Sequence, residues 1–136
     1  MRRRLLLALA FGVLLAGCGG EETVAPTAET VVGTVPGEVD LSKGNAEAGK
    51  EVFTDVANPT CGSCHTYGPA GTEQTLGPNL DEALADKDAQ FILESIVNPD
   101  AEVTSGFADN LMPEDYGQKL NEQQLADLVA FLTPQS

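Results

Sequence analysis

The last part of the chain carries its clearest periodic pattern of apolar and polar positions. Apolar side chains there recur with the i, i+3, i+4, i+7 spacing of one helix face, at Leu125, Leu128, Val129 and Leu132. Asn121 stands before this run and Gln124 follows three residues later, which is the arrangement of a capping box. The pattern predicts a final helix that begins after Asn121 and buries one apolar stripe.

Three earlier segments have shorter helical patterns. The first follows Asn45, a residue type that caps helices, and ends before Pro59. A short acidic stretch surrounds Leu84, and a stronger helix runs from Asp88 as cap to Val97, where an Asn-Pro pair stops it. Long loops over residues 66–76 and 100–120 join these segments. About four short helices with long loops between them predict an all-α domain.

The first residues have the pattern of an export signal. Arg2, Arg3 and Arg4 precede an apolar run over residues 5–16 that is too short to span a bilayer. The run closes on Leu-Ala-Gly-Cys, which resembles the lipobox of bacterial lipoproteins. That resemblance implies a cleaved signal peptide at residues 1–17 and a lipidated Cys18, held in a membrane by several acyl chains. An ordinary signal peptide followed by a coincidental cysteine is the alternative.

Residues 18–43 differ in composition from the rest of the chain. They are rich in Glu, Thr, Val, Gly and Pro, contain no aromatic residue and show no sustained periodicity. We predict a flexible tether at 18–43 and one compact domain at 44–136. A flexible coil of this length reaches roughly 25 to 30 Å, so the tether would let the domain move between partners at the membrane.

The charge of the chain limits its partners. The full sequence has a net charge of −14, and loss of the three leader arginines leaves four lysines against 21 carboxylates, a net charge of −17. Such an acidic domain excludes a nucleic-acid partner. It favours a basic docking partner, whose association would slow as salt rises. Solubility, or adaptation to high salt, is the alternative reason for the acidic surface.

One pentapeptide carries candidate chemistry, Cys61-Gly62-Ser63-Cys64-His65. C-x-x-C-H is typical of covalent haem c attachment, in which both thiols bond to the porphyrin and the imidazole ligates the iron. Zinc is an alternative, because these side chains supply three of the four ligands that it needs. A thioredoxin-like redox pair would need a βαβ context that the flanking sequence lacks. Two buried thiols beside a core histidine are the remaining interpretation.

The numbers of histidine and methionine residues then limit the choice of the sixth iron ligand. The chain has one histidine, so a second imidazole is excluded. Of its two methionines, Met1 would leave with the leader, and Met112 remains as the natural ligand. These counts predict a six-coordinate His/Met haem that passes single electrons.

From Asn45 to Leu132 the sequence resembles the small monohaem cytochromes c of the His/Met kind. The shared order is a helix, C-x-x-C-H, Gly-Pro-Asn-Leu, a helix, a Met-Pro loop and a final helix that carries an aromatic residue. The resemblance implies a cytochrome c fold wrapped around one covalent haem c. It also implies thioether bonds at Cys61 and Cys64, axial ligation by His65 and Met112, and a hydrogen bond from the His65 ring to the carbonyl of Pro78.

The same resemblance implies further roles. Gly49 and Phe131 occupy positions where the first and last helices of such proteins cross closely. Nothing in the sequence places three aromatic residues that could line a haem pocket, namely Tyr67, Phe107 and Tyr116. Three acidic residues near Met112 are expected to point outward into solvent, namely Asp109, Glu114 and Asp115.

The implied function is that of an electron carrier rather than an enzyme, with no small-molecule substrate. The resemblance is greatest to bacterial carrier domains that serve, or are fused to, terminal oxidases. Together with the lipoprotein-like leader, it implies an exported protein, lipid-anchored on the periplasmic side, with a quinol-oxidising complex or a terminal oxidase as redox partner. Two alternatives stay open: a fixed cytochrome subunit of a respiratory complex, and a haem enzyme or gas sensor in which Met112 only fills a loop.

Overall fold

The computed structural model describes residues 38–134. The predicted signal peptide, Cys18 and most of the predicted tether lie outside these residues. Five α-helices follow in chain order: α1 at Ala46–Glu51, α2 at Leu80–Ala83, α3 at Ala89–Val97, α4 at Tyr116–Lys119 and α5 at Glu122–Leu132. Within residues 38–134, no helix is both long and apolar enough to cross a membrane.

The first and last helices form the framework of the fold. Asn45 caps α1 by accepting hydrogen bonds from the amides of Glu47 and Ala48, and α1 continues as a π-helical turn over Val52–Val56. The two helices cross at Gly49, where an added Cβ would overlap the backbone carbonyl oxygen of Asp127. The crossing therefore requires glycine, as the resemblance implies.

Asp127 reinforces this crossing from a buried position on α5. Its Oδ1 accepts hydrogen bonds from the amide of Asn45 and from the side chain of Gln123, both at 2.8 Å. The predicted capping box of α5 is present, with reciprocal bonds between Asn121 and Gln124. The most deeply buried large side chains of the core are Phe53, Ile92, Leu125, Leu128 and Val129.

Helix α3 completes the core. Asp88 caps it by accepting from the amide of Phe91 at 2.8 Å, and its apolar face packs against α5. The cap and the end of the helix at Val97 agree with the sequence prediction. Val39 and Leu41 also pack against the core, so the folded part includes residues that the sequence assigns to the tether.

Three short elements lie in segments that the sequence predicts to be loops. Antiparallel strands β1 (Thr66–Tyr67) and β2 (Thr72–Glu73) form a two-residue ladder just after the C-x-x-C-H segment. Helix α4 lies in the predicted loop over residues 100–120 and buries Tyr116 and Gly117. The two strands have two residues each and α4 has four, and the all-α class is confirmed.

Candidate haem site

A cavity of about 410 Å³ lies between the C-x-x-C-H segment, α3, α5 and the loop that carries Met112. Its floor includes Phe53, Ile92 and Leu128, which belong to the buried core. Cys61, Cys64, His65, Pro78 and Met112 all line it. The structure therefore brings every residue proposed to hold haem to one cavity, which is apolar at its floor and carries sulfur and imidazole groups on its walls.

The two thiols and the imidazole share the cavity because the backbone turns tightly through their segment. Cys61–Ser63 form a 3₁₀ turn, and the amides of Cys64 and His65 both donate to the carbonyl of Cys61 at 3.1 Å. Burial raises the pKa of the Cys61 thiol to about 11. This environment disfavours a thiolate, and it suits an uncharged thioether sulfur.

Backbone contacts fix the imidazole of His65. Its Nδ1–H donates to the carbonyl of Pro78 at 2.9 Å, the hydrogen bond that the resemblance implies. An added Cβ at Gly77 would stand 2.5 Å from Cε1 of the ring, so this glycine lets the chain pass against the imidazole. Burial lowers the pKa of His65. At pH 7 the ring is therefore neutral with its proton on Nδ1, which leaves Nε2 unprotonated and able to ligate a metal.

The backbone around His65 is also tied to the chain on its C-terminal side. The amide of Gly77 donates to the carbonyl of Cys64 at 2.8 Å. The hydroxyl of Thr72 donates to the carbonyl of His65 at 2.8 Å. These bonds join the attachment turn to β2 and to the Gly-Pro turn, so the imidazole is held from two sides.

Met112 reaches the same cavity from a long loop. Its side chain is half-buried, whereas residues 101–111 are all exposed. Asn110 adopts a left-handed conformation with φ of 57°, and its amide donates to Oδ1 of Asp100 at 2.9 Å. Asparagine is among the few non-glycine residues that tolerate this conformation. The contact joins the two ends of the exposed segment just before Met112.

Helix α4 ties the chain after Met112 to the chain before Cys61. The hydroxyl of Tyr116 donates to the carbonyl of Pro59 at 2.7 Å, and Nζ of Lys119 donates to the carbonyl of Asn58 at 2.9 Å. Tyr116 is buried and lines the cavity, and burial raises its pKa. Two hydrogen bonds to consecutive carbonyls therefore link the methionine loop to the attachment segment.

Comparison with known proteins identifies the family. Residues 46–135 match the family model described as Cytochrome c. The chain belongs to the cytochrome c family.

A solved structure is similar over most of the same region. It is the c-type cytochrome SorU from Sinorhizobium meliloti, with a TM-score of 0.51 and 25% identity over 68% of this chain and 88% of that one. No curated protein matches the sequence significantly.

Membership of this family means that the cytochrome carries one covalently bound haem c and functions in electron transfer. Cys61 and Cys64 fit the attachment motif, and the apolar cavity fits an apolar macrocycle. The family therefore favours haem attachment over the zinc and thioredoxin-like interpretations of the C-x-x-C-H motif. Within residues 38–134, no three His, Cys, Asp or Glu side chains are placed to hold a metal ion among themselves.

The structure sorts the aromatic residues that the sequence could not place. Phe107 and Tyr116 of the cytochrome line the cavity. Tyr67 does not line it; it lies behind the cavity in a cluster with Phe53 and Phe131, at ring distances of 5.7 and 5.3 Å. Its hydroxyl donates to the carbonyl of Phe131 at 3.1 Å. Tyr67 therefore supports the helix crossing rather than the haem.

The acidic residues near Met112 follow the expectation only in part. Asp109 and Glu114 are exposed. Asp115 instead turns one oxygen into the protein, and its Oδ2 pairs with Nζ of Lys119 at 2.9 Å. The side chain of Asp115 is still 47% exposed, so the expectation fails only for the buried Oδ1, and α4, absent from the sequence prediction, places Lys119 one turn after Asp115.

Proposed function

We propose that this cytochrome is a membrane-tethered one-electron carrier whose haem iron is ligated by His65 and Met112. One observation carries the proposal: the imidazole and the thioether line the same cavity as the two cysteines. Met112 is the natural partner of His65, because the sequence has no second histidine and its other methionine is the initiator. The proposal assigns the protein no small-molecule substrate and no catalytic side chain.

The bound haem supplies a ferrous–ferric couple that accepts and releases single electrons. The protein's part is to hold the ligands and set their environment. The carbonyl of Pro78 keeps the His65 proton on Nδ1 and orients the ring. A thioether ligand and an apolar cavity both raise the reduction potential.

The ligand set is tested by Met112→Ala in the full haem-loaded protein. We expect loss of the low-spin His/Met absorption spectrum and a lower midpoint potential. Leu111→Ala is the matched control, because Leu111 is exposed in the same loop and lines the same cavity without a ligating atom. An unchanged spectrum in Met112→Ala would show that another group is the sixth ligand. Fast binding of carbon monoxide to the reduced wild-type protein would favour a haem protein with an open sixth site.

The proposal places the domain on the periplasmic side of a bacterial membrane, anchored through Cys18. The basic leader, the short apolar run and the Leu-Ala-Gly-Cys sequence support it. We expect Cys18→Ala to move the haem from the detergent-extracted membrane fraction to the soluble fraction without a change in spectrum. Retention of the variant in membranes would contradict the anchor.

We further propose that the redox partner presents a basic surface. A net charge of −17 after loss of the leader would attract such a partner, as expected for a quinol-oxidising complex or terminal oxidase with a basic docking site. The rate of electron transfer to the partner should fall as ionic strength rises. A rate that is independent of salt would exclude electrostatic docking. Stoichiometric co-purification with oxidase subunits would identify a fixed subunit instead of a mobile carrier.

A further inference from the structure

The lysines of residues 38–134 differ in how their ammonium groups are used. Lys43 pairs with Asp40 and Lys119 pairs with Asp115, each at 2.9 Å. Lys50 donates to the carbonyl of Pro69 at 2.9 Å. The fourth is Lys87, which alone among these lysines lines the haem cavity.

Lys87 lies against an aromatic ring at this cavity. Its Nζ is 4.7 Å from the centroid of Phe91, which also lines the cavity, and the side chain is half-buried. Acidic residues flank it in sequence at Asp86 and Asp88, yet no carboxylate of residues 38–134 lies within 4.0 Å of its ammonium. Asp88 instead accepts from the amide of Phe91 as the cap of α3.

The other charged residues of the cavity wall have the opposite sign. Asp100 and Glu102 line it, and the whole domain is strongly acidic. The haem adds two propionate carboxylates to these surroundings. A partly buried carboxylate needs hydrogen bonds or a cation, because leaving it unpaired in an apolar site costs several kcal/mol. Among the described residues, Lys87 is the one lysine or arginine on the cavity wall that can provide this charge.

We infer that Lys87 binds a carboxylate of the haem and supplies the positive charge that offsets it. Phe91 holds the ammonium at the cavity wall through a cation–π contact, so that little side-chain freedom is lost on pairing. The inference rests on the covalent haem of the family. It does not depend on Met112 as a ligand, and the two can fail separately.

The charge of Lys87 has a consequence for the redox couple. The reduced haem carries one positive charge fewer than the oxidised haem, so a nearby cation favours the reduced form and raises the potential. We therefore expect Lys87→Gln to lower the midpoint potential of the haem-loaded protein, and Lys87→Arg to restore it. Lys50→Gln is the control, since it removes the same charge from a lysine that does not line the cavity.

Salt separates a specific pair from the general effect of surface charge. A partly buried pair is screened far less than an exposed charge. The gap in potential between Lys87→Gln and Lys50→Gln should therefore persist from low to high ionic strength. Lys87→Thr provides a second neutral variant if Lys87→Gln loses its native spectrum. Equal potentials for the Lys87 and Lys50 variants, or a gap that disappears in high salt, would overturn the assignment.

Discussion

The two sides of the haem cavity are built differently. On the attachment side, the carbonyls of Cys61, Cys64 and His65 are bonded and the imidazole is fixed by Pro78. On the methionine side, seven residues of the segment 101–111 line the haem cavity rather than packing into the buried core, and the main tie between the loop ends is the hydrogen bond from the amide of Asn110 to Asp100. Segments that make few contacts with the protein core open at a lower free energy than the core itself. We expect the methionine side to open first.

This contrast matters for a protein that passes electrons. Thioether bonds keep the haem in place when a loop opens, and the Pro78 bond keeps the imidazole oriented. If Met112 ligates the iron as proposed, loss of this ligand would be a local event, separable from global unfolding. Substitutions on the two sides should therefore differ in size and in whether they affect the ligand or the whole fold.

Gly77→Ala should have the largest effect, because the attachment side has no room to adjust. The added Cβ would stand 2.5 Å from Cε1 of His65. We expect a loss of about 3 kcal/mol in the free energy of unfolding, the upper end for overpacked sites, with a shifted midpoint potential. Denaturant unfolding and potentiometry of the haem-loaded protein measure both.

Gly106→Ala is the matched change on the methionine side. An added Cβ at Gly106 meets nothing within 4 Å, although its φ of 95° disfavours alanine. The expected loss is about 1 kcal/mol, from backbone conformation alone. Equal losses for Gly77→Ala and Gly106→Ala would show that the attachment side is no more tightly built than the loop.

Tyr116→Phe should weaken the link between the two sides. It removes the hydrogen bond to Pro59 and leaves that carbonyl without its donor, which costs about 1–2 kcal/mol. We expect the variant to lose methionine ligation at a lower denaturant concentration than the wild type. The absorption band of the methionine-ligated ferric haem measures this loss. Tyr67→Phe is the control, since it removes a hydroxyl bonded to a carbonyl behind the cavity. It should lower global stability without advancing the loss of the ligand. If both variants lose the ligand alike, α4 does not couple the two sides.

The range of each interaction decides which elements the sequence predicts. The caps at Asn45, Asp88 and Asn121 are predicted correctly because each bonds to amides two or three residues away. Helix α4 has four residues, and Asp115 makes no side-chain capping bond. It forms around the buried Tyr116, a tertiary contact that no local pattern reveals.

The residues of the haem site also differ in whether they can be predicted from their local sequence. Cys61, Cys64 and His65 are close in sequence, so their chemistry is visible in one motif. The Pro78 bond came from the family resemblance, because nothing in a Gly-Pro pair shows which ring it faces. Lys87 and Asp100 were not predicted as site residues, because an isolated charged residue is expected to lie at the solvent-exposed surface. Only the fold shows that these two residues line the cavity.

High pH should destabilise the protein through its tyrosines. Burial raises the pKa of Tyr116 and of Tyr67 above the ordinary value of 10.0. Below pH 10 the hydroxyls are protonated in both states. Above it the unfolded chain loses protons that the folded protein keeps, so stability falls by up to about 1.4 kcal/mol per pH unit for each tyrosine. Unfolding of wild type and of the Tyr67→Phe/Tyr116→Phe double variant, from pH 8 to 11, should show the steeper decline in wild type. Equal declines in the stability of the two proteins would show that other groups cause the loss of stability at high pH.

The smallest effect is expected for the hydrogen bond between Asn110 and Asp100, which joins the ends of the methionine loop. Asp100→Asn keeps an acceptor for the Asn110 amide but loses its charge, at a cost of about 0.5 kcal/mol in a half-exposed position. Asp109→Asn is the control, because it removes the same charge from an exposed residue of the same loop. Only Asp100→Asn should advance the loss of methionine ligation on heating, while global unfolding stays unchanged in both. If the two variants behave alike, the Asp100 contact does not hold the loop, and the methionine side depends on α4 alone.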